Sequence, residues 1–217
     1  MNLDAPALRR VLARVTAGFC LAGLLAELTR ERLTLGDHPL VSLLSLSYEG
    51  NLPSWYASAL PLACAGLLAW ISAGETADRT HWRVLAFGFL AISIDEAVGF
   101  HELLGNLFDT TGVLHFGWVI PASALVVALG LYFLGFLRRL SLETAAAFVI
   151  AGGIYVTGAV LLELPLGWWT EQHGEDNLGY YLIDWCEETL ELIGLTAFAG
   201  ALLRRLTGRS VHVTDCP

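Results

Sequence analysis

The sequence contains no lysine, a single methionine and few charged residues. All 12 of its basic residues are arginine, and charged residues fill only 15% of its 217 positions. The absence of lysine excludes a retinal Schiff base and every other chemistry that needs a lysine imine. Because the net charge is −9 and the arginines form no basic face, the sequence also excludes nucleic acid as a partner.

Cysteine is scarce as well, and its spacing is irregular. The four cysteines lie far apart, so they form neither a zinc motif nor a visible disulfide framework. They are Cys20, Cys64, Cys186 and Cys216.

Apolar residues are abundant: they make up 55% of the chain, and the mean hydropathy is +0.60. Six apolar stretches are each long enough to cross a hydrocarbon core about 30 Å thick. The first also resembles a signal peptide, but no typical cleavage site follows it. The sequence therefore predicts an all-α, polytopic transmembrane bundle that forms a single domain over residues 1–217. The predicted helices cover residues 11–28, 52–73, 82–104, 116–137, 143–167 and 180–203.

The arginines are distributed unevenly between the two sides of this predicted bundle. If the N-terminus is cytoplasmic, ten arginines lie inside and only Arg30 and Arg32 lie outside. Short cytoplasmic loops are enriched in basic residues. We therefore expect both termini in the cytoplasm and the protein in a bacterial inner membrane. The first outer connection contains residues 38–47, which are too short to span and predict an interfacial helix or a re-entrant segment.

Acidic residues lie inside the predicted spans, where charge is costly and usually functional. In the third span, Asp95, Gly99 and Glu102 fall on one helical face, with Glu96 and His101 to either side. In the sixth span, four carboxylates fall within an arc of about 100°. These four are Asp184, Glu187, Glu188 and Glu191, and other segments add Glu163, Glu49 and Glu27.

The depths of these residues predict how the third and sixth spans face each other. The two run in opposite directions, so Asp95 is expected to meet Glu191, and Glu102 to meet Asp184. No arginine shares that depth, and closely spaced carboxylates in low dielectric cannot all be ionised. The carboxyls are therefore protonated, solvated in an outer vestibule, or neutralised by a bound cation. Glu27 either faces these groups or extends to the outer surface.

A bound divalent metal is the expectation that we carry forward. A carboxylate and histidine ligand set suits iron, manganese, calcium or zinc. Glu96 or His101 would act as the general base, while His115 and His173 are weaker ligand candidates in loops. The predicted ligands are Asp95, His101, Glu102, Glu163, Asp184, Glu187, Glu188, Glu191 and Glu49.

Three functions are compatible with such a site. The first is a metal-dependent membrane enzyme that acts on a lipid or another hydrophobic substrate. The second is a cation or proton transporter, although the inner halves of the spans carry no further acids. The third is a non-catalytic subunit of an oligomer or a larger membrane complex. Membrane lipid is an expected partner in every case.

Overall fold

The computed structural model is a helical bundle. It describes residues 4–33, 38–105 and 108–213, and the side chains of residues 31–33, 102 and 208–213 lie outside the description. Within these ranges every regular element is helical. The elements are α1 (Ala5–Leu33), α2 (Pro39–Leu44), α3 (Leu52–Gly74), α4 (Arg79–Val98), α5 (Phe100–Gly105), a 3-10 turn (Gly112–Leu114), α6 (Val119–Leu137), α7 (Leu142–Val156), a π-helical turn (Thr157–Leu162), α8 (Glu163–His173) and α9 (Leu178–Val213).

Local sequence signals explain where several helices begin. At the start of α3 the Asn51 side chain accepts a hydrogen bond from the Ser54 backbone N–H at 3.0 Å, and the Asn51 N–H donates to Ser54 Oγ at 2.9 Å. This reciprocal capping box satisfies N–H groups that the first helical turn leaves unpaired. His38 opens the short helix α2 by accepting from the Leu40 N–H at 3.2 Å. The predicted short segment at residues 38–47 thus contains a helix of six residues.

The prediction of one continuous helix over residues 82–104 is wrong, because the helix is interrupted at Gly99. This glycine adopts a left-handed conformation with φ 65°, and its N–H donates to the Asp95 carbonyl at 2.7 Å. A left-handed residue with this bond is the usual end of a helix, and glycine adopts it without steric cost. Residues 100–105 then form the separate helix α5. Asp95 and Glu102 therefore do not share one helical face.

The predicted fifth helix continues beyond residue 167, as α7, the π-helical turn and α8 form one uninterrupted helical segment. It ends at His173, where Gly174 follows with a positive φ. Pro165 lies within it and has no N–H for the carbonyl of Leu161, four residues earlier. The wider π-helical turn directly precedes this site, as it often does where a helix carries a functional residue.

Helix α9 lies at the centre of the bundle, in contact with α1, α3, α7 and α8, while α3 and α4 form a close pair. The most deeply buried side chains lie where these helices meet; they include Leu68, Trp82, Phe136, Leu192, Leu195 and Leu202. Helix α6 lies at the periphery. Large apolar side chains remain exposed around the bundle, such as Trp70 at 69% and Leu131 at 70%. A surface of this kind suits a lipid environment.

Four helical segments in the described residues are long and apolar enough to cross a membrane: Ala5–Arg30, Leu52–Gly74, Val119–Leu137 and Leu142–His173. This finding supports an integral membrane protein. The predicted third and sixth spans, now α4 and α9, do not meet this standard, since both carry acids at one end and arginines at the other. The full count of six spans and the cytoplasmic placement of both termini stay predictions.

Ion pairs gather at the end of the bundle where α3 and α6 end and α4 begins. Arg139 donates from Nε to both carboxylate oxygens of Asp78 at 3.1 Å, and its Nη2 lies 2.5 Å from Oδ1. These hydrogen bonds hold the pKa of Asp78 below its ordinary value. Arg205 pairs with Glu75 at 2.8 Å and stacks on the Trp82 ring. Arg139 and Arg205 at this end thus have acidic or aromatic partners nearby.

Candidate functional site

The polar interior lies at the opposite end of the bundle, where α4 ends and α3, α6 and α9 begin. Its first component follows from the break at Gly99. The chain turns back so that His101 donates its backbone N–H to Asp95 Oδ1 at 2.9 Å, while its ring Nδ1 lies 3.0 Å from Oδ2. A carboxylate that accepts from Nδ1–H leaves Nε2 with its lone pair and fixes the ring orientation. Both side chains are about one-third exposed, His101 at 33% and Asp95 at 36%. A substrate can therefore reach this dyad.

A buried acid and an indole adjoin this dyad. Trp118, directly before α6, donates its Nε1–H to Glu163 Oε1 at 3.1 Å, and its ring centroid lies 5.0 Å from that of His101. Glu163 begins α8 after the π-helical turn and is 7% exposed. Its second oxygen, Oε2, is buried without a hydrogen-bond partner. An unsatisfied buried carboxylate oxygen is costly, so its position calls for an explanation in function.

A pair of carboxyl groups connects α4 to α9. The side chains of Glu96 and Glu191 lie close to each other, and two neighbouring carboxyl groups in a low-dielectric interior do not both ionise. The π-helical turn packs on the same part of α9 through Gly158. A Cβ added there would lie 2.7 Å from the Glu187 carbonyl oxygen and 2.9 Å from Glu191 Cγ. Glu187 is buried at 7% exposure, and its Oε2 also lacks a partner.

A third polar group surrounds Glu27, which is fully buried. The hydroxyls of Ser45 and Ser47 donate to its Oε1, the second at 3.3 Å. Asp184 lies beside this group, close to the Ser47 hydroxyl and to the carboxyl group of Glu27. Of the two alternatives for Glu27, the side chain thus faces the polar interior.

The expectation that no arginine shares this depth needs correction. Arg30 acts electrostatically on Asp184. Its guanidinium carbon lies 3.9 Å from the centroid of the Tyr181 ring and 5.0 Å from that of Tyr48. It also pairs with Asp176 at 3.6 Å. One end of the α9 stripe therefore has a cation nearby.

Comparison with known protein families assigns the chain to one family. A family described as Domain of unknown function (DUF8692) matches residues 11–206. The chain belongs to this family. The matched range contains every residue of the polar interior described above, from Glu27 to Glu191. No curated protein and no solved structure matches the chain.

For this DUF8692 chain, the pairings predicted for the acids differ from those in the structure. Glu191 meets Glu96 rather than Asp95, and Asp184 lies beside Glu27 and Ser47. The side chain of Glu102 lies outside the described residues. Glu188 lies among Glu96, Asp184, Glu163 and Glu49, so Glu49 belongs to the edge of this region and is itself exposed.

The weaker histidine candidates lie elsewhere. His115 packs edge-on against Phe116, and His173 stacks on Trp169 with ring centroids 4.2 Å apart. Sequence reasoning missed Trp118, because a tryptophan that opens an apolar span is typical of any membrane interface. It also missed Tyr155, although a tyrosine hydroxyl in mid-span needs a polar neighbour.

The predicted metal centre is not supported in the described part of the chain. No group of three or more His, Cys, Asp or Glu side chains there is arranged to hold a metal ion. The physical reason is the arc that the α9 acids cover, which directs Asp184 to α1 and Glu191 to α4. Several acids instead lie next to serine hydroxyls, an indole, an imidazole or a second carboxyl group.

Proposed function

We propose that this chain is an integral membrane protein that transfers protons to and from a hydrophobic substrate. In this proposal His101 is the general base at Nε2, and Asp95 is the positioning residue that holds the ring. The Glu96 and Glu191 pair supplies the general acid, because the carboxyl group that carries the shared proton can release it. The proton that leaves the substrate and the proton that returns to it are thereby both accounted for.

The observation that carries this proposal is the two-point contact between Asp95 and His101. A histidine held through its backbone N–H and its ring by one carboxylate has a fixed tautomer, which a merely interfacial histidine does not need. The dyad is partly exposed, whereas Glu163 beside it is buried and incompletely hydrogen-bonded. Since apolar helices surround the site, a substrate that reaches it from the bilayer is hydrophobic.

The arrangement of charges also supports an orientation. Paired arginines lie at one end of the bundle and the dyad lies at the other. With the arginine end in the cytoplasm, the dyad lies in the outer half of a bacterial inner membrane and both termini are cytoplasmic.

The test is lipid conversion by the purified protein in nanodiscs prepared from a bacterial inner-membrane lipid extract. Mass spectrometry before and after incubation would reveal lipids that the wild type converts. We expect His101→Gln to abolish conversion and Asp95→Asn to lower it about a hundredfold or more. His173→Gln, on a histidine outside the dyad, is the matched control and keeps full conversion. Conversion that persists in His101→Gln, or no conversion by the wild type, would contradict the proposal.

A bound divalent cation is a second candidate, favoured by the unpartnered buried oxygens of Glu163, Asp184 and Glu187. Iron, manganese, calcium or zinc bound there would neutralise these acids. Elemental analysis of the purified protein tests it: stoichiometric metal in the wild type and in Glu143→Gln, lost in Glu163→Gln, supports a site. Equal metal content in both variants argues against this one.

A further inference from the structure

A second feature of the interior is an apolar cavity of about 200 Å³ between α4, α6, α7 and α9. Phe89, Phe133 and Phe198 lie on its walls, and Gly152 leaves room on the α7 side. Val149, at 57% exposure, lies at its lining and at the surface of the bundle. An apolar cavity of about 150 Å³ is large enough to bind benzene and stay dry. This cavity therefore has room for a ring or a short length of hydrocarbon chain.

Tyr155 connects this cavity to the acids. It lines the cavity, and the carboxyl groups whose charges act on its phenol are Glu191, Glu96, Glu188 and Asp95. At this point α7 and α9 pack closely, because Gly194 of α9 abuts the Tyr155 backbone. A Cβ added to Gly194 would lie 2.7 Å from the Tyr155 nitrogen. The cavity and the carboxyl groups thus adjoin at Tyr155, and we refer to the two together as the cleft: it is hydrocarbon at one end and acidic at the other.

The charge at the acidic end selects the kind of molecule. The groups that act on Glu191 are Glu96, Glu188, Glu187 and Glu163, all of them acids. Glu187 is more than nine-tenths buried and its Oε2 has no hydrogen-bond partner. Around Glu96 the charges that act are those of His101, Asp95 and Glu49. A phosphate or carboxylate head would meet predominantly like charge here, whereas an ammonium group would supply the missing donors.

We propose that this cleft binds an amphiphile with one apolar chain or ring and a cationic amine head. The apolar part occupies the cavity beside Gly152, and the amine donates to the carboxyl groups of Glu191 and Glu187. The idea that this amphiphile is the substrate of the proton-transfer reaction rests on the proposed function. The binding of the amphiphile in the cleft can be tested separately.

The test uses a long-chain alkylamine that carries a photoactivatable diazirine in its chain, with the wild-type protein in nanodiscs. We expect labelled peptides from α4 and α7. Gly152→Leu fills the cavity and displaces several methylene groups of the ligand, each worth about fourfold in affinity. We expect labelling to fall about tenfold or more. Gly153→Leu is the matched control, because Gly153 has open space around it, is exposed, and lies outside the cavity lining.

The head group has its own pair of variants. Glu191→Gln should weaken labelling by the amine about tenfold, the usual effect of losing a charged hydrogen-bond partner. Glu143→Gln, at the exposed start of α7, should leave it unchanged. An unlabelled alkylamine should compete better than a carboxylic acid of equal chain length. Equal competition by the acid, or equal labelling of Gly152→Leu and Gly153→Leu, would overturn the proposal.

Failure of this inference and failure of the proposed function give different results. If the amine binds as expected but the wild type converts no lipid, the proton-transfer function fails and the binding site stands. If Gly152→Leu still converts lipid at the wild-type rate, the cleft is wrong and the dyad at His101 retains its role.

Discussion

Replacing Gly158 with alanine tests the close contact between the π-helical turn and α9. The added Cβ would lie 2.7 Å from the Glu187 carbonyl oxygen, 2.9 Å from Glu191 Cγ and 3.1 Å from the Glu191 nitrogen. Carbon contacts are favourable at about 3.5–4.0 Å, and two of these three atoms are backbone, so α9 must move away. Overpacking of this kind costs about 1–3 kcal/mol, and the displacement would separate the carboxyl groups at the acidic end.

The matched control is Gly153→Ala on the same helical segment, where an added Cβ meets nothing within 4 Å. In an unobstructed helix, exchanging glycine for alanine stabilises by about 0.5–1 kcal/mol. The two substitutions are chemically identical, yet we expect effects of opposite sign on the free energy of unfolding.

Thermal unfolding in detergent, followed by circular dichroism, measures this difference. At about 2–4 °C per kcal/mol for a chain of this size, we expect the midpoint of Gly158→Ala to lie several degrees below that of Gly153→Ala. Gly194→Ala should behave like Gly158→Ala, because its Cβ would lie 2.7 Å from the Tyr155 nitrogen. A midpoint for Gly158→Ala equal to or above that of Gly153→Ala would refute the close approach.

Three further predictions concern hydrogen bonds in other parts of the bundle. Glu27→Leu should lower stability by about 1–3 kcal/mol, because it leaves two serine hydroxyls without their acceptor, whereas Glu27→Gln retains an acceptor oxygen and should lose less. Ser93→Ala should cost about 0.6 kcal/mol, since the Ser93 hydroxyl donates to the Ser58 carbonyl at 2.8 Å between α4 and α3. In the wild type, the pairing of Asp78 with Arg139 should stabilise the fold above about pH 4. This stabilisation is lost as the pH falls through the lowered pKa of Asp78, because protonation disrupts the pair. Asp78→Asn should remove it at every pH.

Unfolding midpoints measured in one detergent check all three. Equal midpoints for Glu27→Leu and Glu27→Gln would contradict the buried acceptor role, and an unchanged Ser93→Ala midpoint would argue against the link between α3 and α4. For Asp78, the midpoints of wild type and Asp78→Asn should differ at pH 7 and converge in strong acid. A constant difference over that range would rule out the carboxylate of Asp78 as the source.

Hydrophobic length was enough to predict several of the helices. Residues 52–73 were predicted and α3 covers Leu52–Gly74, because Asn51 and Ser54 form a capping box at its start. Gly99 was predicted to lie within a continuous helix, on one face with Asp95 and Glu102. The sequence alone does not distinguish a glycine within a helix from a glycine that ends one in a left-handed conformation. The hydrogen bond from the Gly99 N–H to the Asp95 carbonyl, which decides between them, is visible only in the structure.

The pairings of the polar residues could not be predicted from the sequence. The acids on α9 fall within a known arc, yet which one meets α4 depends on the rotation of α9, and that is set by Gly158 and Gly194 packing on neighbouring backbone. The interaction of His101 with Asp95 could not be predicted from a continuous helix, because six residues along such a helix separate the two by about 120° around the axis and about 9 Å along it.

The most direct test of the account is whether Glu96 and Glu191 face each other across the cleft. In a protein whose native cysteines are replaced, Glu96→Cys with Glu191→Cys should be joined by a short bifunctional thiol reagent in nanodiscs. The control pair, Ala97→Cys with Glu191→Cys, places one thiol on an exposed position next to Glu96 and should stay unjoined. Efficient linkage of the first pair alone is the predicted result. Equal linkage of both pairs, or linkage of the control pair alone, would contradict the facing of α4 and α9 on which both proposals depend.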